Sequence, residues 1–319
     1  MKILVSIPVH EKPEVINDLI LNIRKYVKNS LIVLHISDSF YNKYNENDII
    51  HDDDVLINPE HLITSWGNIY TTHISNFLYA KKSVEFDYIL LQASNDMFVR
   101  SGIEEYICKY DAGFNRRIIW QDGSFWWPAA CAVQDIALKK IMNYCGVTRI
   151  VASQVEGSFY KKDVFEYIVN VLDHVITEDD ILKFNFYGRE EVYYSTIASK
   201  IVDYEKCGYP TTYSEVQRFD KWIFKIRTII YKTNTLLLHY FISTKVLNKI
   251  VGYINNLLFK SRVYKIRKKD IKNILETGIN FPVYLNDNPG YFRLYDNVFS
   301  VKRISRIYDD EIREFIRNL

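Results

Sequence analysis

The sequence has no excess of charge of either sign, no long apolar run and no closely spaced cysteines. Each absence removes a class of protein. Its 41 basic and 39 acidic residues leave a formal net charge of +2, so the overall charge gives no electrostatic footprint for nucleic acid. The cysteines, Cys108, Cys131, Cys145 and Cys207, form no C-x-x-C pair. No zinc site is expected from them, and reduced thiols in a cytosolic protein are the simpler reading. The first apolar run, Ile3 to Val9, breaks at His10, Glu11 and Lys12. It has the length of a buried strand, too short to span a bilayer and unlike a signal peptide. Internal repeats and low-complexity segments are also absent.

What remains reads as a globular protein: 48% of the residues are hydrophobic and 25% charged, in a chain of 319 that can bury one large core or two modest ones. The first half alternates strand and helix patterns. Strands are expected at 2–9, 30–36 and 88–92, and helices at 13–27, 69–83 and 102–110. This βαβ rhythm predicts an α/β fold, a Rossmann-like, mostly parallel sheet flanked by helices. Beyond Asn115 the pattern is less regular, with a strand expected at 118–121 and helices at 135–144, 162–174 and 190–201. The most informative stretch follows the third strand, where Gln92–Ala93–Ser94–Asn95–Asp96 forms a polar turn with one acid. Acids at the C-terminal ends of buried parallel strands lie where open α/β sheets bind ligands. Ser101 and Glu104 then have the spacing of a capping box for the next helix.

Charge becomes one-sided between Arg218 and Lys269, where twelve further lysines and arginines are opposed only by Asp220. Apolar residues such as Val246, Ile250 and Ile254 alternate with Lys245 and Lys249 at helical spacing. This predicts a basic, helical C-terminal region, lying either on an anionic membrane surface or against the domain with a solvated basic face. Domain boundaries are accordingly expected at 217/218 and 269/270, separating an N-terminal α/β domain, the basic helical region and a C-terminal segment.

Seven segments resemble, in order, the core-2/I-branching glycosyltransferases (glycosyltransferase family 14, which includes the xylosyltransferases). Ile7–Pro8–Val9–His10–Glu11–Lys12–Pro13–Glu14 is similar to the family's first strand and H-x-K-P-E turn, and Trp66–Gly67 to its W-G helix entry. The Asp96 turn resembles L-S-G-x-D-Y-P, with Phe98 in place of proline. Gly157–Ser158–Phe159–Tyr160 resembles G-S-x-[YW]. Glu190–Glu191 resembles the P-D-E helix start, Arg218 to Phe224 the R-F-x-K-W-x-[YF] segment, and Phe299 to Lys302 the terminal L-F-A-x-K. Where the family carries an acid after its second strand, this chain has Ser37, with Asp38 one residue late.

The resemblance implies a GT-A-type fold and inverting sugar transfer from a nucleotide donor without a divalent metal. It places the base that deprotonates the acceptor hydroxyl at Glu191, with Glu190 adjacent. Both sit in a first helical turn, where the dipole favours a carboxylate. Lys302 is implied as a cation for the leaving diphosphate, with Arg262 as its best-aligned partner and Arg267 and Arg293 as competitors. His10, Ser37, Asp38 and Asp96 are expected on the donor side. Trp222, Phe224, Glu156 and Glu190 are expected on the acceptor side, and Trp126 and Trp127 read as packing residues. The sequence lacks the Asp-x-Asp of metal-dependent GT-A enzymes at its nucleotide-binding strand. Ser94–Asn95–Asp96 carries one carboxylate, and Asp52–Asp53–Asp54 reads as a solvated acidic loop. No metal cofactor is therefore expected.

The resulting expectation is a bacterial enzyme moving N-acetylglucosamine, or a related sugar, from a UDP donor onto an oligosaccharide or lipid-linked glycan in capsule or O-antigen synthesis. It would be cytoplasmic and peripheral on the inner membrane. Two alternatives are a non-catalytic glycan-binding relative and a metal-dependent transferase using Asp96.

Overall fold

The computed structural model describes residues 1–62, 67–119, 127–177, 179–180, 187–213, 266–276 and 297–319. Trp66, Trp126, Trp222, Phe224, Arg262, Arg293 and residues 218–265 of the basic region lie outside the described residues, as does the boundary at 217/218.

The apolar runs become the strands. β1 (Ile3–Val9), β2 (Ser30–Ile36) and β4 (Tyr88–Leu91) are buried on both faces, as unbroken aliphatic runs in parallel sheets are. Between them lie α1 (Pro13–Tyr26), the short α2 (Asp38–Tyr41), β3 (Val55–Asn58) and α3 (Ile69–Lys81). Pro13 opens α1 at a position where its missing N–H has no helical partner to lose. There follow β5 (Met97–Phe98), α4 (Ile103–Ile107), β6 (Ala112–Gly113), β7 (Arg117–Ile119), α5 (Trp127–Gln134), α6 (Ile136–Cys145) and β8 (Ile150–Ala152). The described chain continues through β9 (Phe159–Lys161), α7 (Lys162–Val175), α8 (Glu190–Ala198), β10 (Cys207–Gly208), β11 (Thr212–Tyr213), α9 (Lys268–Leu275), β12 (Ser300–Val301) and α10 (Glu311–Arg317).

The main sheet has seven strands in the order β10-β6-β9-β4-β1-β2-β3. Pairings β4–β1–β2–β3 and β10–β6 are parallel, while β9 lies antiparallel between β4 and β6. The fold is thus mixed α/β with a mostly parallel central sheet flanked by helices. One apolar cluster on the sheet includes Phe77, Leu138, Phe165, Ile168 and Ile197 from α3, α6, α7 and α8. A second, including Ile16, Leu19, Ile23, Ile103 and Ile107, comes from α1 and α4.

Two expectations, the Ser101 cap and its Glu104 partner, are corrected. The helix after the Asp96 turn is capped by Gly102 at φ +101°, not by Ser101. Glu104 instead accepts a hydrogen bond from the Lys28 backbone N–H at 2.7 Å. The boundary drawn at 269/270 falls inside α9.

The C-terminal segment belongs to the body of the protein. β12 pairs parallel with β11 and antiparallel with β5, immediately after the Asp96 turn. Arg313 on α10, fully buried, reaches Asp18 on α1 at 2.5 Å, and Arg306 reaches buried Glu11 at 2.8 Å. A buried guanidinium without its carboxylate is strongly destabilising, so the Arg313–Asp18 pair fixes where the tail runs. That placement carries Lys302 to the C-terminal edge of the sheet.

Candidate active site

The order β3-β2-β1-β4 means that the chain runs outward from β1 through β2 to β3 and then returns to the other side of β1 to form β4. At such a switch point a crevice opens outside the C-terminal ends of the strands. Residues expected at the site from four separate stretches of sequence meet there.

Asp96 ends the turn after β4 and is 1% exposed. The Ala93 N–H donates to its Oδ2 at 2.9 Å, and Oδ1 has no hydrogen-bond partner among the described residues. Burial, together with the charge of Glu156, raises its pKa well above the ordinary carboxylate value, against the opposing pull of Lys302 and Arg303. Asp96 therefore holds its proton more tightly than an ordinary carboxyl group does.

Glu156 lies in the loop between β8 and β9. Gly157 at φ +77° forces that loop tight: a Cβ there would lie 2.3 Å from the Thr212 backbone nitrogen. Glu156 Oε2 accepts from Lys302 Nζ at 3.0 Å, with the side chains 24% and 11% exposed. Burial opposes ionisation of Glu156, but the Lys302 ammonium outweighs it and the pKa falls below the ordinary value. Within the acidic pair, the proton therefore sits on Asp96 and the charge on Glu156.

Lys302 follows β12 directly, with its backbone N–H bonded to the Tyr213 carbonyl at 3.1 Å and that of Ile304 to the Asn95 carbonyl at 2.9 Å. Between them Arg303 adopts a left-handed φ of +64°, a conformation that costs a non-glycine residue about 1 kcal/mol or more.

Glu190 opens α8 and is buried. Its Oε2 has no partner among the described residues. Burial and the Glu156 charge push its pKa up to about 7, against its backbone hydrogen bond and Arg189. Glu191 is half-buried, and its backbone carbonyl accepts from the Ser153 N–H at 2.8 Å. An added Cβ on Gly188 would stand 3.1 Å from Glu190 Oε1 and 3.4 Å from Glu191 Cγ, so both acids fold back over that glycine.

The other expected residues are more scattered. His10 is exposed at the end of β1, its backbone N–H donating to Glu11 Oε2 at 3.1 Å. Ser37 is buried as the residue before α2, with its hydroxyl 3.0 Å from that of Ser39, whereas Asp38 is exposed. Arg267, the described member of the three candidate arginines, caps α9 and is bonded to Asp270 at 3.1 Å. Asp52 and Asp54 of the acidic loop each accept from Arg24 at 2.6 Å.

Several polar residues were not anticipated. Ser6 interrupts the apolar run of β1, and its hydroxyl lies 2.8 Å from His73 Nδ1 and accepts from Asn76 Nδ2 at 3.0 Å. Burial drives the His73 pKa down to about 3, so the ring is neutral. The serine within a hydrophobic strand was the available signal. Gln92, Thr212 and Ser300 join β4 to the small sheet, with the two hydroxyls 2.7 Å apart. Among the described residues no group of three or more His, Cys, Asp or Glu side chains is arranged to hold a metal ion. Nor is any described helix long and apolar enough to cross a membrane. No protein-family model matches the chain, and no curated protein is significantly similar to it.

Proposed function

We propose that this protein is an inverting, metal-independent glycosyltransferase that moves a sugar, N-acetylglucosamine or a close relative, from a UDP donor to a hydroxyl of a glycan acceptor. The observation that carries this reading is the convergence of Glu190, Glu156, Asp96 and Lys302 at the switch point of a Rossmann-like sheet. A base with a pKa of about 7 is half ionised at neutral pH and still basic enough to take a hydroxyl proton. Glu190 accepts the acceptor O–H proton as that oxygen attacks the anomeric carbon. The bond from that carbon to the diphosphate breaks, and its electron pair leaves on phosphate oxygen. Lys302 meets the new negative charge. A cation about 4 Å from phosphate contributes on the order of 4 kcal/mol at an effective dielectric near 20. Asp96, whose Oδ1 has no partner among the described residues, donates to the donor when protonated, and Glu156 accepts from an acceptor hydroxyl.

The resemblance placed the base at Glu191. Glu190 is preferred because its carboxylate is buried, feels the charge of Glu156 and has one oxygen without a partner among the described residues. The basic stretch 218–269 supports a lipid-linked acceptor at an anionic inner membrane face, as in bacterial capsule or O-antigen synthesis. Neutralising its lysines should then weaken vesicle binding.

The test is UDP release from a panel of UDP-sugars in the presence of EDTA, for the wild type, Glu190→Gln and Glu191→Gln. Selective release that survives EDTA and collapses in Glu190→Gln supports the reading. Release abolished by EDTA moves the chemistry to a metal at Asp96. No release and no donor binding would leave a glycan-binding protein without transferase activity.

A further inference from the structure

The turn that follows β12 departs from the ladder that precedes it. Ser300 lies opposite Phe98, and Val301 opposite Met97. Continued at that register, Arg303 would stand opposite Asn95 and its N–H would reach the Asn95 carbonyl. That carbonyl accepts instead from the Ile304 N–H, at 2.9 Å. Arg303 is thus the extra residue of a β-bulge, and its φ of +64° is the left-handed value that such a bulge ordinarily gives to glycine. Among the described residues no other non-glycine has a positive φ. Both flanks are fixed. Lys302 is bonded through its N–H to the Tyr213 carbonyl and through Nζ to Glu156, and Ile304 is tied to the residue before Asp96. Bulges re-aim side chains beside active sites, and what the strain retains here is an arginine at the edge of the crevice.

The cations of this turn differ in what they hold. Lys302 is engaged by Glu156 at 3.0 Å, and Arg306 by buried Glu11 at 2.8 Å. Arg267, at the head of α9, is engaged by Asp270 at 3.1 Å. Arg303 is exposed and has no hydrogen-bond or ion-pair partner among the described residues. Its charge reaches the crevice, where it draws down the pKa of both Asp96 and Glu156.

We infer that Arg303 binds the diphosphate of the nucleotide-sugar donor, as the guanidinium that the bulge holds unpaired beside Lys302. This rests on the reading of the site as that of a nucleotide-sugar transferase. New negative charge on a leaving diphosphate is stabilised by cations already in place. Lys302 must exchange Glu156 for the ligand, whereas Arg303 gives up no partner among the described residues. A guanidinium also meets phosphate oxygens two at a time, which an ammonium does not. Arg303 stands one residue beyond the last segment of the family resemblance, so the resemblance did not point to it.

The experiment is calorimetry of UDP, uridine and inorganic pyrophosphate, with EDTA present, on the wild type, Arg303→Gly, Arg303→Gln and Arg303→Lys. Arg303→Gly removes the guanidinium and suits the left-handed backbone, so its melting temperature should equal or exceed that of the wild type. It should bind UDP and pyrophosphate about tenfold more weakly, and uridine equally well. Arg303→Gln should show the same loss. Arg303→Lys should recover about threefold of it, since it restores the charge without the fork. UDP bound equally by the wild type and the Gly and Gln variants would overturn the inference and leave the proposed function standing. So would a uridine affinity that falls as far as that of UDP, which would make Arg303 a residue that only shapes the turn. A wild type that binds pyrophosphate through Arg303 but does not bind UDP would refute the nucleotide donor and leave an anion site. No binding of either ligand by the wild type would overturn both.

Discussion

Two buried charge clusters adjoin the start of α8, one through Arg189, which faces Asp135, and the other through Glu190, and they are built on opposite principles. Around Asp135 both carboxylate oxygens are used: three hydrogen bonds and a guanidinium answer one negative charge. Around Asp96 and Glu190 one oxygen of each acid has no partner among the described residues, and both pKa values are displaced upward. A satisfied network rigidifies; a partly satisfied one costs stability unless a ligand completes it. The difference separates what holds the protein together from what it holds in readiness. It also sorts the effects of mutation: closing residues should lower stability, and open ones should lower activity while raising stability.

The largest effect expected is on turnover. General bases contribute about 10²–10⁴-fold. Glu190→Gln should reduce donor hydrolysis or transfer by that factor, whereas Glu191→Gln should stay within about tenfold of wild type. UDP-release rates for the two variants, measured side by side, check this. The reverse ranking would restore the base to Glu191 and make Glu190 a second closed group.

Breaking the closed cluster should instead be read in unfolding. Asp135→Ala removes the buried carboxylate facing Arg189 and the oxygen that accepts from two tyrosine hydroxyls. Removing one partner of a buried pair typically costs about 3–5 kcal/mol. Denaturant titration should show a loss of that order, and a loss below about 1 kcal/mol would erase the contrast between the clusters.

The open cluster makes the opposite prediction, and its sign follows from linkage. The Glu190 pKa is near 7 folded against an ordinary value of 4.5, so between those pH values the folded state binds more protons than the unfolded one. Stability then falls as pH rises through this window and levels off above it. A displacement of that size corresponds to roughly 3 kcal/mol. Glu190→Gln removes the titration. It should exceed the wild type in stability by up to that amount at pH 8 and by little at pH 4, as urea midpoints at the two values will show. Loss of function with gain of stability marks a group held against its own preference.

How much of this was legible in the sequence depends on whether the signal was local. The apolar runs of β1, β2 and β4 and the amphipathic α1 and α7 carry their own periodicity, and their expected bounds lie within a residue or two of the structure. The Asp96 turn was readable because a strand end followed by an acid has meaning in a parallel sheet. The cap was misread because Ser101 and Gly102 compete, and glycine wins where φ must be positive. The antiparallel entry of β9 and the pairing of Asp135 with Arg189 leave no local trace. Asp135 reads only as a helix start, and its partners lie 52 to 58 residues onward. Lys302 and Glu156 are 146 residues apart, and the small sheet, not any motif, brings them together.

The smallest effect is the most specific test of what the open cluster is open to. In the free protein Lys302 is already engaged by Glu156 at 3.0 Å, so a diphosphate must compete with an internal carboxylate for the same ammonium. Removing that competitor without changing its shape, as in Glu156→Gln, should tighten UDP binding in calorimetry. The pair is partly exposed, which limits its strength to about 1 kcal/mol, or roughly fivefold in Kd. The sign of the pH dependence is fixed by the depressed Glu156 pKa: the advantage should be full at neutral pH, persist through the ordinary value of 4.5, and disappear only as pH falls through the lower folded-state value, where the wild-type carboxylate is itself protonated. Weaker binding in Glu156→Gln would mean that Glu156 orients Lys302 for the ligand instead of competing with it. The Glu156–Lys302 pair would then belong with Asp135 and Arg189 among the closed contacts.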